Sequence, residues 1–264
     1  MRAVALHKDV VVAISEVWQT TCTAVRAGDE AVLIDSPIYP EELRALPQML
    51  AQSGFRVRGL LTTHGDWDHL LATSAFPGTT LGCAESTAAR LAQSPDEPAR
   101  ELAEFDAEHY VQRDAPLELG ELQALPVPGR IQLGSGAQAR ELELHPTGGH
   151  TSDGVAYWLE WARVLVCGDH LSPVEIPALS PSGGVHAYLQ TLERLRPLVA
   201  RCEWVVPGHG APIGRERALA VLEEDAAYLG ALRDLGESAP LPASRDDHVQ
   251  RRAHAANVAF LSAR

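Results

Sequence analysis

Cysteine is scarce in this sequence. Only four of its 264 residues are cysteines, Cys22, Cys83, Cys167 and Cys202, and no two of them form a CxxC pair. This spacing excludes a zinc site built from thiolates and a disulfide framework. We therefore predict four reduced thiols that are mostly buried, because an unpaired cysteine behaves as a small apolar residue.

Long apolar runs are also absent. No run approaches the roughly 18 residues that a membrane-spanning helix needs. The opening stretch MRAVALHKDVVVAISEVWQTT interrupts its apolar part with acidic and polar residues, which excludes a standard signal peptide. These two absences predict a cytoplasmic protein that does not contact a membrane.

Positive charge is in the minority. The sequence has 22 Lys and Arg residues against 35 Asp and Glu residues, for a net charge of −13, and its pI is near 5.2. This balance excludes a broad basic surface for nucleic-acid phosphates or anionic lipid. We expect a small-molecule substrate as the partner, and the sequence carries no signal for an oligomeric state.

Strand-like and helical patterns alternate along the chain, which predicts a layered α/β fold. We expect one domain over residues 1–264, with helices from about residue 215 added to the main body. Helical spacing appears in PEELRALPQMLAQSG, VHAYLQTLERLRPLVAR, residues 216–235 and DDHVQRRAHAANVAFL, and residues 94–149 predict a helical excursion followed by further strands. Apolar runs typical of strands occupy residues 10–14, 21–25, 31–34, 57–61, 155–161, 164–167 and 204–206.

Four of the strand-like runs end in a turn that carries a histidine or an acid. GLLTTH ends at His64, ELELHPTGGH at His150, RVLVCGD at Asp169 and EWVVPGHG contains His209. Strands of a layered α/β sheet end on a common edge, so these side chains can converge in one cleft. Histidines and carboxylates that converge in this way indicate a metal site.

The stretch TTHGDWDHL adds further candidate ligands. His64, Asp66 and Asp68 alternate and can point one way from an extended segment, whereas the adjacent Asp68 and His69 need a turn between them. This arrangement suits two ions side by side, which can share a hydroxide and clamp both oxygens of a hydrolysed ester or amide. Seven candidate ligands are too many for one zinc ion, which usually takes about four.

The run Thr63-His64-Gly65-Asp66-Trp67-Asp68-His69, followed by GGHTSDG, VLVCGDH and VVPGHG, resembles the metallo-β-lactamase-fold superfamily. The signature of that superfamily is T-H-x-H-x-D-H with a distant His, Asp and His. The resemblance covers residues 10–215 and implies a four-layer αββα sandwich with a dinuclear site at one sheet edge. It implies a first metal held by His64, Asp66 and His150, a second held by Asp68, His69 and His209, and Asp169 as the bridge between them.

Asp66 stands where the superfamily has a second histidine. Either Asp66 still binds the first metal, or the shorter side chain does not reach and one metal remains at the other ligands. A carboxylate hardens the site, so manganese or iron becomes possible although zinc is the expected metal. The flavodiiron branch of the superfamily also has an acid at this position, which leaves a diiron oxidoreductase as an alternative. That branch carries a flavodoxin-like domain, for which this chain has no room.

We therefore expect a metal-dependent hydrolase in which a bridging hydroxide attacks an ester, thioester or lactone. Asp68 is the candidate catalytic residue that orients the nucleophile or passes its proton onward. A metal-binding protein without catalysis is a further alternative. Secondary candidates for contacts around the site are His170, Trp67, Thr63 and Thr151, with Arg251, Arg252, His254 and Asn257 of the last helix as either substrate contacts or a solvated face.

Overall fold

Two mixed β-sheets pack face to face, and helices cover their outer surfaces. The computed structural model describes residues 1–263. Within that range, no helix combines the length and the apolar character required to cross a bilayer. All four cysteines are free and buried, as predicted.

The first sheet has seven strands that lie side by side in their sequence order. The first four strands pair antiparallel, and the fourth to seventh pair parallel. The strands are β1 (Arg2–His7), β2 (Val10–Ile14), β3 (Thr21–Ala27), β4 (Glu30–Ile34), β5 (Val57–Leu61), β6 (Leu81–Ala84) and β7 (Leu122–Leu125).

The second sheet has six strands in the order β13-β12-β11-β10-β9-β8. All its pairs are antiparallel except β11 with β12, which run parallel. The strands are β8 (Gly129–Leu133), β9 (Arg140–Thr147), β10 (Gly154–Leu159), β11 (Val164–Val166), β12 (Trp204–Val206) and β13 (Ile213–Gly214).

The main core lies between the two sheets. In β2, Val10, Val12 and Ile14 face this core, while Ala13 faces the opposite side. This is the two-residue alternation of a strand with two covered faces. Val155 and Val166 of the second sheet lie in the same cluster, so the sheets share one apolar interior.

Helices form the two outer layers, which confirms the predicted αββα sandwich. Leu46 and Leu50 of the first helix pack on the first sheet, and Leu192 and Leu195 of the fifth pack on the second. The last two helices follow residue 214, where the sequence predicted C-terminal helices. The helices are α1 (Pro40–Gln52), α2 (Ala72–Ala75), α3 (Glu85–Gln93), α4 (Glu97–His109), α5 (Val185–Arg201), α6 (Arg215–Leu235) and α7 (His248–Ser262).

All seven strands predicted from apolar runs are present, with ends shifted by at most a few residues. The region 94–149 contains α4 followed by β7, β8 and β9, which matches the expected helical excursion and further strands. The sequence did not indicate β1, β6 or β13, and β1 is an edge strand whose side chains are all half-buried or exposed. Its partly exposed faces weaken the apolar signal by which a strand is recognised.

Candidate metal centre

The four turns that carry histidine or aspartate meet at one edge of the two sheets. His64 follows β5, His150 follows β9, Asp169 follows β11 and His209 follows β12. The seven predicted ligands form three groups in which the nitrogen or oxygen atoms lie within 4.8 Å of one another. The groups are His64 with Asp66 and His150, His64 with His69 and Asp169, and Asp68 with His69 and His209.

Close backbone contact between two of these turns brings the ligands together. The Gly208 N–H donates to the Gly168 carbonyl over 2.7 Å. A Cβ on Gly208 would lie 2.0 Å from Asp169 Oδ1 and 2.9 Å from His69 Cε1. Only glycine therefore fits at position 208, because any side chain would enter the space between two candidate ligands.

Backbone carbonyls orient the rings of His150 and His209. His150 Nδ1 lies 3.0 Å from the Ala178 carbonyl oxygen, and His209 Nδ1 lies 3.2 Å from the Trp18 carbonyl oxygen. A carbonyl only accepts, so each Nδ1 must carry the hydrogen. In the neutral ring this leaves the Nε2 lone pair free, which is the form that binds metals.

Asp35 and Thr63 orient the other two rings. Thr63 Oγ1 lies 3.0 Å from His64 Nδ1 and 3.0 Å from Asp35 Oδ2. His69 Nδ1 also lies near Asp35, 3.1 Å from Oδ2. Sequence reasoning missed Asp35, although AVLID ends in an acid in the same way as the strands that were singled out.

The Nε2 atoms of all four histidines face carboxylate oxygens. His209 Nε2 lies 3.3 Å from both Asp68 Oδ2 and Asp169 Oδ2, and His150 Nε2 lies 3.4 Å from Asp169 Oδ2. Among the described residues, His64 Nε2, His69 Nε2 and Asp169 Oδ1 are buried without a hydrogen-bond partner. Imidazole and carboxylate lone pairs at these distances repel each other unless a proton or a metal ion lies between them. The donor set therefore fits divalent metal ions.

Asp66 reaches the same space as its neighbours. Its Oδ2 lies 3.2 Å from His150 Nε2 and 3.5 Å from His64 Nε2. Its other oxygen, Oδ1, lies 2.7 Å from Arg90 NH1. The aspartate side chain is therefore long enough to reach both histidines of its group.

Comparison with protein families identifies the family to which this site belongs. The family model of the metallo-beta-lactamase superfamily matches residues 15–209. The chain belongs to the metallo-beta-lactamase superfamily. The match ends on His209 and includes all seven predicted ligands, so membership supports a metal-dependent hydrolase at the level of the family.

Solved structures share the fold over most of the chain. A metallo-beta-lactamase family protein from Thermus thermophilus is 22% identical with a TM-score of 0.66, over 98% of this chain and 94% of that one. A stereoselective inverting sec-alkylsulfatase from a Pseudomonas species is 14% identical with a TM-score of 0.71, over 98% of this chain but 49% of that one. A metallo-beta-lactamase from Pontibacter korlensis is 18% identical with a TM-score of 0.56, over 84% of this chain and 98% of that one. No curated protein matches this superfamily member by sequence.

Charges within the cluster shift the titration of its members. Burial opposes the charge on His150, but the Asp66 carboxylate and Asp169 outweigh it and raise the pKa of His150 to about 9. Burial also opposes the charge on Asp169, yet His209 and His69 hold its pKa well below its usual range. In the protein without metal, the carboxylates thus stay ionised by drawing protons onto the histidines.

The secondary candidates have structural roles in this member of the superfamily. Trp67 packs with Ile38 and Phe105 beneath the motif, and it does not cap the cleft. Asn257 is buried and bonds the loop over the second sheet, accepting from Leu179 N–H and donating to the Pro177 carbonyl. Arg251 and Arg252 are exposed on α7.

His170 is buried beside the centre and packs against Tyr188, with ring centroids 4.5 Å apart and the rings tilted by 39°. Its Nε2 lies 3.4 Å from the Gly148 carbonyl, and the Tyr188 hydroxyl donates to the Asp169 carbonyl over 2.8 Å. Burial and the nearby charge of His150 lower the pKa of His170 from 6.5 to about 3. His170 is therefore neutral in the native protein and supports the turn that carries Asp169.

This lowered pKa predicts a loss of stability in acid. Between its ordinary pKa of 6.5 and its lowered pKa of about 3, His170 takes up a proton only when the protein unfolds. Its contribution to the free energy of unfolding is therefore complete above pH 6.5 and is lost as the pH falls. Relative to His170→Gln, the metal-free wild type should lose about 2 kcal/mol of unfolding free energy between about pH 6.5 and pH 5. Urea unfolding of both proteins at several pH values measures this difference, and a constant difference would contradict it.

Proposed function

We propose that this protein is a hydrolase with two divalent metal ions. The observation that carries the proposal is the shared orientation of the donors, since four Nε2 atoms and three carboxylates face one space at the sheet edge. Asp169 reaches both halves of that space, with Oδ1 at 3.1 Å from His69 Nε2 and Oδ2 at 3.4 Å from His150 Nε2. The proposed first site is His64, Asp66 and His150, the second is Asp68, His69 and His209, and Asp169 lies between them.

When bound, two such ions would supply Lewis-acid charge and a water whose pKa is lowered towards neutrality. The residues of the chain would hold and orient the metal ligands. The backbone carbonyls of Trp18 and Ala178 hold two imidazoles in the Nδ1–H form, so neither ring has to reorient during the reaction. Thr63 Oγ1 donates to Asp35 and can accept from His64 Nδ1 in the same way, and Asp35 Oδ2 lies 3.1 Å from His69 Nδ1.

We assign to Asp68 the additional role of orienting the nucleophile and passing its proton onward. Its Oδ2 lies 3.3 Å from His209 Nε2 and 3.6 Å from His69 Nε2, so its carboxylate faces the reaction space. Ser36 Oγ donates to the Asp68 carbonyl over 3.0 Å and fixes the backbone at this point. A carboxylate held in this way stays ionised beside positive charge, so it can accept a hydrogen bond from the attacking water and orient it.

Zinc is the metal we expect, because four imidazoles dominate the donor set. The third carboxylate, Asp66, hardens the first site and makes manganese or iron the alternatives. Iron in both sites would favour the second candidate function, a diiron oxidoreductase. That candidate rests on Asp66 alone, since the remaining donors are equally suited to hydrolysis.

The substrate class that we propose is a small ester, thioester or lactone. The net charge of −13 disfavours polyanionic substrates such as nucleic acids. Trp18 is 43% exposed beside His209, with ring centroids 6.4 Å apart, and offers an apolar surface next to the proposed second site. Because structural relatives include metallo-beta-lactamases and an alkylsulfatase, β-lactams and alkyl sulfates complete the panel of substrates to be tested.

Elemental analysis of protein purified without added metal or chelator tests the proposal directly. We expect about two metal ions per chain. Asp66→Ala should lower this value towards one and reduce hydrolysis, because the first site loses its only carboxylate that is not shared. The matched control is Asp234→Ala, an exposed aspartate on α6.

Three results would count against this model. One metal per chain, unchanged by Asp66→Ala, would contradict the dinuclear site. Two iron ions with visible absorption would favour the oxidoreductase. A fully loaded protein without activity on the ester, thioester, lactone, β-lactam and alkyl sulfate panel would contradict hydrolysis and favour metal binding without catalysis.

A further inference from the structure

The side chain of Arg90 links the motif loop to a buried acid. Arg90 lies on α3, and its NH1 atom is 2.7 Å from Asp66 Oδ1 and 3.1 Å from Asp153 Oδ1. Asp153 is buried, whereas the side chains of Arg90 and Asp66 are each about one quarter exposed. One guanidinium thus connects a candidate metal ligand to an acid that lies behind it.

The contact with Arg90 gives the two oxygens of the Asp66 carboxylate different partners. Oδ1 is occupied by the guanidinium, while Oδ2 faces His64 and His150 at 3.5 and 3.2 Å. The carboxylate can therefore offer a single oxygen to the proposed first site, as an imidazole offers a single nitrogen. Arg90 also adds one positive charge, which offsets the negative charge that an aspartate brings in place of a neutral histidine.

Arg90 itself is held in place by Asp153. The Asp153 Oδ2 atom accepts from the Gly65 N–H over 3.0 Å, which ties it to the motif loop. The Asp153 carbonyl accepts from Thr87 Oγ1 over 2.8 Å, which ties it to α3. Because Asp153 is bonded to both neighbours, the guanidinium has a fixed position from which to orient Asp66.

We infer that Arg90 is a positioning residue that makes Asp66 an effective ligand of the first metal, so that Asp66 and Arg90 together replace a histidine. This inference rests on the proposed dinuclear function. It implies that Arg90 contributes to metal binding only while residue 66 is an aspartate. Opposite an imidazole, the guanidinium would still pair with Asp153, but it would have no carboxylate to orient towards the metal.

A double-mutant cycle in the full-length protein tests this dependence. The variants are Arg90→Met, Asp66→His and the combination of both, and the readout is zinc affinity at each site, measured by competition with a chromophoric chelator. Arg90→Met should lower the zinc affinity of the proposed first site about 10- to 100-fold, because loss of a group that orients a metal ligand typically lowers metal affinity by this factor. The zinc affinity of the second site should not change. In the Asp66→His background, Arg90→Met should cause no loss.

Arg90→Lys serves as the second variant if Arg90→Met fails to fold. It keeps the charge but loses the rigid guanidinium, and we expect an intermediate loss at the first site only. Unchanged zinc affinity in Arg90→Met, or an equal loss in both backgrounds, would overturn the inference while two bound metals in the wild type would still support the proposed function. A wild type that binds no metal would instead overturn the proposed function.

Discussion

Asp169→Asn is expected to remove metal from both proposed sites and to abolish hydrolysis. The Asp169 carboxylate lies within 3.4 Å of the Nε2 atoms of His69, His150 and His209, which belong to different halves of the centre. Asparagine has nearly the same size, but it is neutral and presents an NH₂ group where one oxygen stood. The change therefore removes a shared negative charge without opening a cavity.

The expected loss of metal affinity exceeds about 100-fold, because removal of a group that only orients a ligand already costs about 10- to 100-fold. Elemental analysis and chelator competition measure this loss, and circular dichroism checks that the fold remains. Asp234→Asn on α6 is the matched control, since that aspartate is exposed and pairs only with Arg233 in the described structure. Retention of two metals by Asp169→Asn would contradict the position of Asp169 between the sites.

Of the variants proposed for this protein, Arg245→Met is expected to cause the largest loss of unfolding free energy. Arg245 is 1% exposed, and its guanidinium donates to Asp225 Oδ1 over 2.6 Å and to Glu224 Oε2 over 2.9 Å. It also donates to the carbonyls of Ser172 and Glu175, which lie on the loop after Asp169. Without Arg245, the buried Asp225 loses its partner, and two carbonyls lose a donor.

Removal of one partner from a buried ion pair typically costs about 3–5 kcal/mol. For a chain of this length, such a loss lowers the melting temperature by roughly 10 °C. Differential scanning calorimetry measures this shift. Arg251→Met is the control, because Arg251 is 67% exposed and pairs with Asp246 at the surface.

The double variant Arg245→Met with Asp225→Leu distinguishes an unpaired charge from lost packing. It should recover part of the stability lost in the single variant, because replacement of both partners by apolar residues avoids an uncompensated buried charge. A melting temperature within about 2 °C of the wild type for Arg245→Met would contradict the prediction.

Patterns that are local in the chain allowed much of this protein to be predicted. A strand shows its covered faces through apolar runs or alternation over a few residues, and this was sufficient for β2 and β5. The candidate ligands were visible because four of them lie in the turns that end such runs and the other three lie in the stretch TTHGDWDHL. The rule that strands of a layered sheet end at one edge predicted that His64, His150 and His209 converge, and they do so although β5 lies in the first sheet and β9 and β12 lie in the second.

Contacts between distant segments were beyond those patterns. Arg90 is an arginine and Asp153 an acid with no distinguishing pattern in the sequence, and their role appears only when α3 packs beside the motif loop and Arg90 pairs with both Asp66 and Asp153. Asn257 looked like part of a solvated helix face, yet α7 packs it against the loop that contains Pro177. Each of these roles depends on a segment that is distant in the sequence and packs against the residue, and the local sequence does not indicate which segment that is.

The sequence by itself determined the family, the layered fold and the identity of the candidate ligands, because apolar periodicity and the order of polar residues after strands are properties of short segments. Only the tertiary structure decided how those ligands are oriented. His150 and His209 take their ring orientation from the carbonyls of Ala178 and Trp18, and Asp66 takes its orientation from Arg90. Hydrogen-bond direction depends on atoms brought together across the fold, so it appears only once the layers have packed.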